Sequence, residues 1–279
     1  MKNNQITNSL YLVPTPIGNL GDMTYRAVET LKSVDLIYAE DTRNSKILLK
    51  HYAIQTPMRS YHQFNEKERC AEILTHLKAG KQIALISDAG TPGISDPAQI
   101  IVQYLLQHGQ QVCALPGATA LIPALVASGF DTHNFTMIGF LPKSSKEQLK
   151  LFKSLPTATK PLIFYEAPHR LEKFLHLLKK YLGNADICIA REISKIHETY
   201  YRGKLDYFIS NFSEIILKGE FVIIALPELK RINYDAQIIN LWQNKYQDLP
   251  KSEASRRIAE ELNIPKNYVY KILSEWNKN

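Results

Sequence analysis

Short apolar runs alternate along the chain with stretches whose apolar residues recur every three or four positions. Runs at 9–13, 36–39, 58–61, 82–86 and 111–115 have the length and composition of buried strands. Between them Ala27, Val28 and Leu31, then Ile47 and Leu48, then Ala71, Leu74 and Leu77, then Ile101, Val102, Leu105 and Leu106 recur at helical spacing. Strand–helix–strand alternation of this kind predicts a mostly parallel sheet covered by helices. Asp96 followed by Pro97 offers an N-cap acceptor and a first-turn proline, so a helix is expected to begin there.

From Phe135 the pattern starts again. Strands are expected at 135–138, 161–165, 186–190, 198–201 and 221–226, with helices near 147–155, 171–181 and 205–212. The boundary falls in the loop region 115–120, dividing an N-terminal α/β domain, 1–116, from a C-terminal one, 117–228, with no repeat in residue identity between them. After Pro227 the chain turns helical. Within this tail, 229–279, the segment 253–262, the turn Asn263-Ile264-Pro265 and the segment 266–276 are helix-turn-helix-like, with Ile258, Ala259, Leu262, Val269, Ile272 and Leu273 as the apolar seam. A small helical cap and a nucleic-acid grip both fit that pattern.

Composition narrows the class. With 45% hydrophobic and 22% charged residues, 12 glycines and 14 prolines in 279 residues, the chain can bury a real core and is neither disordered nor fibrous. A net charge of +7 puts an anionic partner such as nucleic acid ahead of simple solubility. Cys70, Cys113 and Cys188 are odd in number and widely spaced, which suggests no disulfide framework and no zinc site; no metal is expected, and a reducing cytoplasm fits. The N-terminus lacks a signal-type apolar stretch, and the uncharged segment 114–130 is broken by Pro116, Gly117, Pro123 and Gly129, so no membrane partner is expected.

Sequence fingerprints for ordinary dinucleotide binding, P-loop phosphate binding, nucleophile-elbow hydrolysis and zincin chemistry are all absent. In their place stand three tight loops, each after an expected strand. The first runs Val13-Pro14-Thr15-Pro16-Ile17-Gly18-Asn19-Leu20-Gly21-Asp22, the second Ser87-Asp88-Ala89-Gly90-Thr91-Pro92-Gly93-Ile94-Ser95-Asp96-Pro97, and the third Leu115-Pro116-Gly117-Ala118-Thr119-Ala120. Glycine permits close backbone approach and proline stiffens the turn, and ligands of open α/β sheets bind at such strand ends. Polar clusters also sit at strand ends: Glu40-Asp41-Thr42-Arg43; His62, Asn65 and Glu66; Tyr165-Glu166-Ala167-Pro168-His169-Arg170; and Arg191-Glu192 with Lys195, His197 and Glu198. Each can serve acid–base work or substrate contact, and each can equally be a cap or an ion pair; Glu66 and Glu198 read as the latter, His62 and His169 as the better acid–base candidates.

At these residues the chain resembles a known family. VPTPIGNLGD, AEDTR, SDAGTPGISDP, LPGATA, FYEAPHR, ARE and KGEFVI, in this order between about Leu10 and Leu226, are similar to the ribosomal small subunit methyltransferase I family, a branch of the tetrapyrrole methylase superfamily. The resemblance implies two α/β domains of the tetrapyrrole methylase type with S-adenosylmethionine in the cleft between them, a cytoplasmic homodimer, and 2′-O-methylation of cytidine 1402 in the decoding region of 16S ribosomal RNA within the small ribosomal subunit. Carried over by motif, the cofactor should meet Ile17 and Gly18, then Ala89, Gly90, Thr91 and Ile94, then Thr119 and Ala120, with Glu166 and Glu192 beyond. Glu166 stands where porphyrinoid enzymes of the superfamily often carry an apolar residue, which favours a polar acceptor.

A sulfonium methyl is already activated, so what remains is to hold the 2′-hydroxyl in line and to accept its proton. Residue type and loop position nominate Asp88, Glu166, His169 and Lys195 for the proton, and Arg43, Arg170 and Arg191 as RNA anchors. Two other readings stay open: a methyltransferase acting on a tetrapyrrole ring carbon, and a non-enzymatic DNA-binding regulator with the α/β body as ligand sensor.

Overall fold

The apolar runs of the first half pair into a single sheet. In the computed structural model, which describes residues 9–62, 64–155, 160–228, 234–262 and 264–276, these runs are β1 (Ser9–Leu12), β2 (Leu36–Ala39), β3 (Met58–Ser60), β4 (Ile83–Ile86) and β5 (Gln111–Ala114). Their order is β3-β2-β4-β1-β5, and every neighbouring pair is parallel. The crossovers are α1 (Tyr25–Ser33), α2 (Thr42–His51), α3 (Glu66–Lys78) and α4 (Ala98–Gln107). Side chains alternate between two apolar layers: Leu10, Leu12, Tyr38 and Leu85 face the layer of α3 and α4, while Tyr11, Val13, Ile37 and Ala84 face that of α1 and α2. Both faces are covered, as a parallel sheet requires. All five strands therefore end at one edge, where the three tight loops emerge.

Local chemistry sets the helix starts. The Thr24 hydroxyl accepts the Ala27 N–H and the Asp41 carboxylate accepts the Arg43 N–H, capping α1 and α2. Asp96 Oδ1 accepts the Ala98 N–H at 2.8 Å, so it caps the entry to α4, whose regular turns begin one residue after Pro97.

The second half forms a sheet of another kind. It comprises β6 (Thr136–Phe140), β7 (Leu162–Glu166), β8 (Asp186–Arg191), β9 (Thr199–Lys204) and β10 (Phe221–Leu226), in the order β6-β7-β10-β8-β9. Only β6 and β7 pair in parallel; the other three pairings are antiparallel, so parallel pairing stops after β7. The reason lies in the connections. A parallel neighbour needs a long crossover, whereas the loop 192–198 between β8 and β9 holds no helix and returns the chain antiparallel. Helices α5 (Leu121–Ser128), α6 (Ser145–Ser154), α7 (Leu171–Leu182) and α8 (Leu205–Ser210) complete this half.

These elements form one compact unit up to Glu228, and the chain from Leu229 forms another. The second unit holds α9 (Asp235–Leu241), a π-helical turn at Trp242–Tyr246, α10 (Lys251–Leu262) and α11 (Lys266–Trp276) around its own apolar centre of Ile238, Ala254, Ile258, Val269 and Leu273. Ala259 is buried in the same centre, and Leu262 and Ile272 pack against it; Asn263 of the expected turn lies outside the described residues. On α10, Arg256 pairs with Glu253 and Glu260, and Arg257 with Glu253. Among the described residues no helix is long and apolar enough to cross a membrane.

Candidate active site

The three loops are laced to one another. Thr15 and Gly90 exchange backbone hydrogen bonds at 2.9 Å in both directions, and the Thr15 hydroxyl donates to the Ser87 carbonyl. The Thr91 hydroxyl donates to the Ala118 carbonyl at 2.9 Å, joining the second loop to the third. Gly90 sits at φ +80°, and a Cβ there would press on Ile17 and on the third loop, so only glycine lets the loops close. Gly139, at φ +73° in the bulge of β6, lies against Ser95 and brings the second sheet to this loop.

Between these loops and the ends of β7 and β10 lies a cavity of about 470 Å³. Ile17, Ala89, Gly90, Thr91, Ile94, Thr119 and Ala120 form one wall; Phe140, Tyr165, Glu166 and the segment 219–222 form much of the other. Phe140 is largely exposed and its ring lies 5.6 Å from that of Tyr165. The lining is also acidic: Glu40, Asp88, Asp96, Glu166 and Glu220 all reach it. Burial, and after it the negative charges of Asp88 and Asp96, push the Glu40 carboxyl above its ordinary range. Asp88 Oδ1 meanwhile accepts the Asp41 N–H at 3.0 Å.

The nominated residues divide by position. Asp88 and Glu166 line the cavity, but Oε1 of Glu166 already accepts the Ala167 N–H at 2.8 Å and Arg170 Nε at 2.7 Å. Arg170 thus neutralises a buried carboxylate in the wall. His169 is exposed on the short 3-10 turn Pro168–Arg170 and does not line the cavity, whereas Pro168 does. Lys195 does not line the cavity either; burial works against its charge, yet Glu192 Oε1 at 2.8 Å and Glu220 Oε2 at 3.0 Å hold its pKa up, which favours the charged ammonium.

Gly18 and Glu192 do not line the cavity. A Cβ on Gly18 would overlap the Lys195 side chain, and Glu192, at φ +53°, accepts the Glu220 N–H as well as Lys195. Arg191 is buried, and its guanidinium donates to the carbonyls of Lys218 and His197. Arg43 is exposed, bonds Asp41, and borders a separate groove beside α2.

Reading by residue type placed Glu40 in a candidate cluster without nominating it for the proton, and passed over Phe140 and 219–222. Glu40 stands in the strand-end cluster with Arg43, and Gly219, Glu220, Phe221 and Val222 lie in KGEFVI, so both carried a signal. Nothing near Phe140 did.

The fold and its strand-end cavity define a class, the tetrapyrrole methylases: the family model described as Tetrapyrrole (Corrin/Porphyrin) Methylases matches residues 9–208. Among solved structures, uroporphyrin-III C-methyltransferase from Thermus thermophilus, complexed with S-adenyl homocysteine, shares the fold at a TM-score of 0.54 and 19% identity, over 80% of this chain and 99% of that one. Among curated relatives, the ribosomal RNA small subunit methyltransferase I of Synechocystis sp. is 46% identical over 95% of this chain and 97% of its own length, and that of Bacillus subtilis 41% over 94% and 92%. The chain belongs to the ribosomal RNA small subunit methyltransferase I family within the tetrapyrrole methylases.

Proposed function

We propose that this chain transfers a methyl group from S-adenosylmethionine to the ribose 2′-hydroxyl of cytidine 1402 in 16S ribosomal RNA of the small subunit. The supporting observation is the acidic cavity walled by the three laced loops. Its volume suits a nucleoside-sized ligand. Apolar patches at Ile17, Ile94 and Phe140 suit the flat parts of such a ligand, and the carboxylates suit a cation. The names of the curated relatives speak against the tetrapyrrole acceptor.

When bound, S-adenosylmethionine would supply an activated methyl group for the ribose oxygen, with S-adenosylhomocysteine as the other product. Ile17, Ala89, Gly90, Thr91, Ile94, Thr119, Ala120 and Glu166 would hold it; Gly18 and Glu192 pack on or bond Lys195, whose ammonium bonds Glu220 of the lining, and so would position that wall. Glu40, raised in basicity by burial and flanked by Asp88, takes the hydroxyl proton, so the nomination for that role moves to this pair. Arg43 contacts the RNA backbone, and the helical tail adds grip. A homodimer working in the cytoplasm completes the proposal.

Titration with S-adenosylhomocysteine of the parent chain and of Gly90→Val tests the cofactor site. Micromolar binding that the variant loses is expected; equal binding by both would contradict the assignment.

A further inference from the structure

A second concavity, of about 890 Å³, lies beside α2 and the edge strand β3. Arg43, Lys46 and Lys50 on α2 and Arg59 on β3 line it, with Thr42, Thr56 and Ser60 between them. No carboxylate lines it among the described residues. The α2 sequence, TRNSKILLKH, holds no acidic residue at all. A helix face that merely keeps a protein soluble mixes both signs of charge. Here the signs are sorted.

Arg43, Lys46 and Lys50 follow at i, i+3 and i+7, so they share one face of α2 over about 10 Å. That is about three steps of a nucleic-acid strand at its axial repeat. Arg43 and Arg59 each give part of the guanidinium to one carboxylate, Asp41 and Glu72 respectively, and keep further N–H donors. Lys46 and Lys50 are exposed, and among the described residues neither has an ion-pair partner. The groove also adjoins the cavity. Glu40 lines the cavity, Thr42 and Arg43 line the groove, and Asp41 between them donates its N–H to Asp88 on the cavity wall.

We infer that this groove carries the ribose–phosphate backbone of the RNA on one side of the methylated nucleotide, with Lys46 and Lys50 as phosphate contacts that lead the strand away from Glu40. The inference rests on the proposed methylation of ribosomal RNA and adds the path of the strand. Phosphate contacts set register and carry no sequence information, so their loss should weaken every RNA substrate alike.

The test compares the full-length parent, Lys46→Glu/Lys50→Glu, Lys46→Ala/Lys50→Ala, and a control, Lys78→Ala/Lys81→Ala. The control lysines lie at and just after the end of α3, which covers the opposite face of the sheet. Small subunits lacking the methyl mark serve as substrate, and S-adenosylhomocysteine affinity reports an intact fold. The expected result is a KM for subunits raised at least tenfold in the glutamate variant, with kcat and cofactor affinity unchanged. The alanine variant should flatten the log–log dependence of RNA binding on salt by about 1 per lysine, and the control should match the parent. Parental KM and salt slope in both groove variants would overturn the groove. A parent that binds cofactor but methylates no subunit would instead overturn the reading on which the groove rests.

Discussion

Glu40 is the carboxylate we propose as the proton acceptor, because burial and the like charges of Asp88, Asp96 and Asp41 make its proton harder to remove. A general base works only when deprotonated, so a raised pKa moves the acid limb of the rate profile up. Methyl transfer should therefore fall, as pH drops, at a value above the ordinary carboxylate range. Asp88→Asn removes the first of its three negative neighbours and should move that limb to lower pH, while Glu40→Gln should lower kcat by about 10²-fold or more and leave cofactor affinity in place. Profiles of kcat against pH for the three proteins check both statements; a limb that stays put in Asp88→Asn would separate the two residues. Gly90 answers to a different constraint. At φ +80°, an alanine costs about 1–2 kcal/mol from backbone strain before its contact with Ile17 is counted. Gly90→Ala should therefore melt earlier and bind S-adenosylhomocysteine more weakly; an unchanged melt would show that the loop relaxes freely.

Three elements of the first sheet meet at Glu72 on α3. Its carboxylate accepts the Tyr38 hydroxyl of β2 at 2.8 Å and pairs with Arg59 of β3 and Arg69 of its own helix. Burial opposes its charge, but these donors outweigh it and hold its pKa down at about 2. Because the folded-state value is depressed, the stabilisation is present above the unfolded value of 4.5 and is lost as pH falls from there toward 2. The full shift corresponds to about 3 kcal/mol as an upper bound. Glu72→Gln should lose much of that at pH 7 and show a shallower acid limb in denaturant unfolding; parallel limbs in the two proteins would refute it. The elements were legible wherever burial writes a pattern. β1, β2 and β4, buried on both faces, read as apolar runs, and Asp96-Pro97 marked the entry to α4. Strand direction in the second sheet was not legible, because an apolar run carries no sign of which way its neighbour points. The cavity was legible where glycine and proline crowd a strand end. Phe140 and the burial of Arg191 were not, since they depend on which elements pack against them in space.

The helical unit from Leu229 has its own apolar centre, and Glu228 is tied to the first unit by its N–H to the Leu182 carbonyl and by its carboxylate to the Asn184 N–H. A chain ending at Glu228 should thus fold and bind S-adenosylhomocysteine as the parent does, while RNA affinity falls if the tail grips RNA. Filter binding of small-subunit RNA to both lengths checks this, and equal affinities would remove the tail from RNA recognition. The net charge of +7 is distributed to purpose on this reading: carboxylates crowd the cavity, and lysines with no ion-pair partner among the described residues gather on α2.

The most direct measurement is transfer of labelled methyl from S-adenosylmethionine to small subunits that lack the mark, followed by nuclease digestion and identification of the labelled nucleoside. Label recovered as 2′-O-methylcytidine from a single position is the expected result. Label on a base, label on a tetrapyrrole in a parallel incubation, or none in RNA while cofactor binding persists, would contradict it.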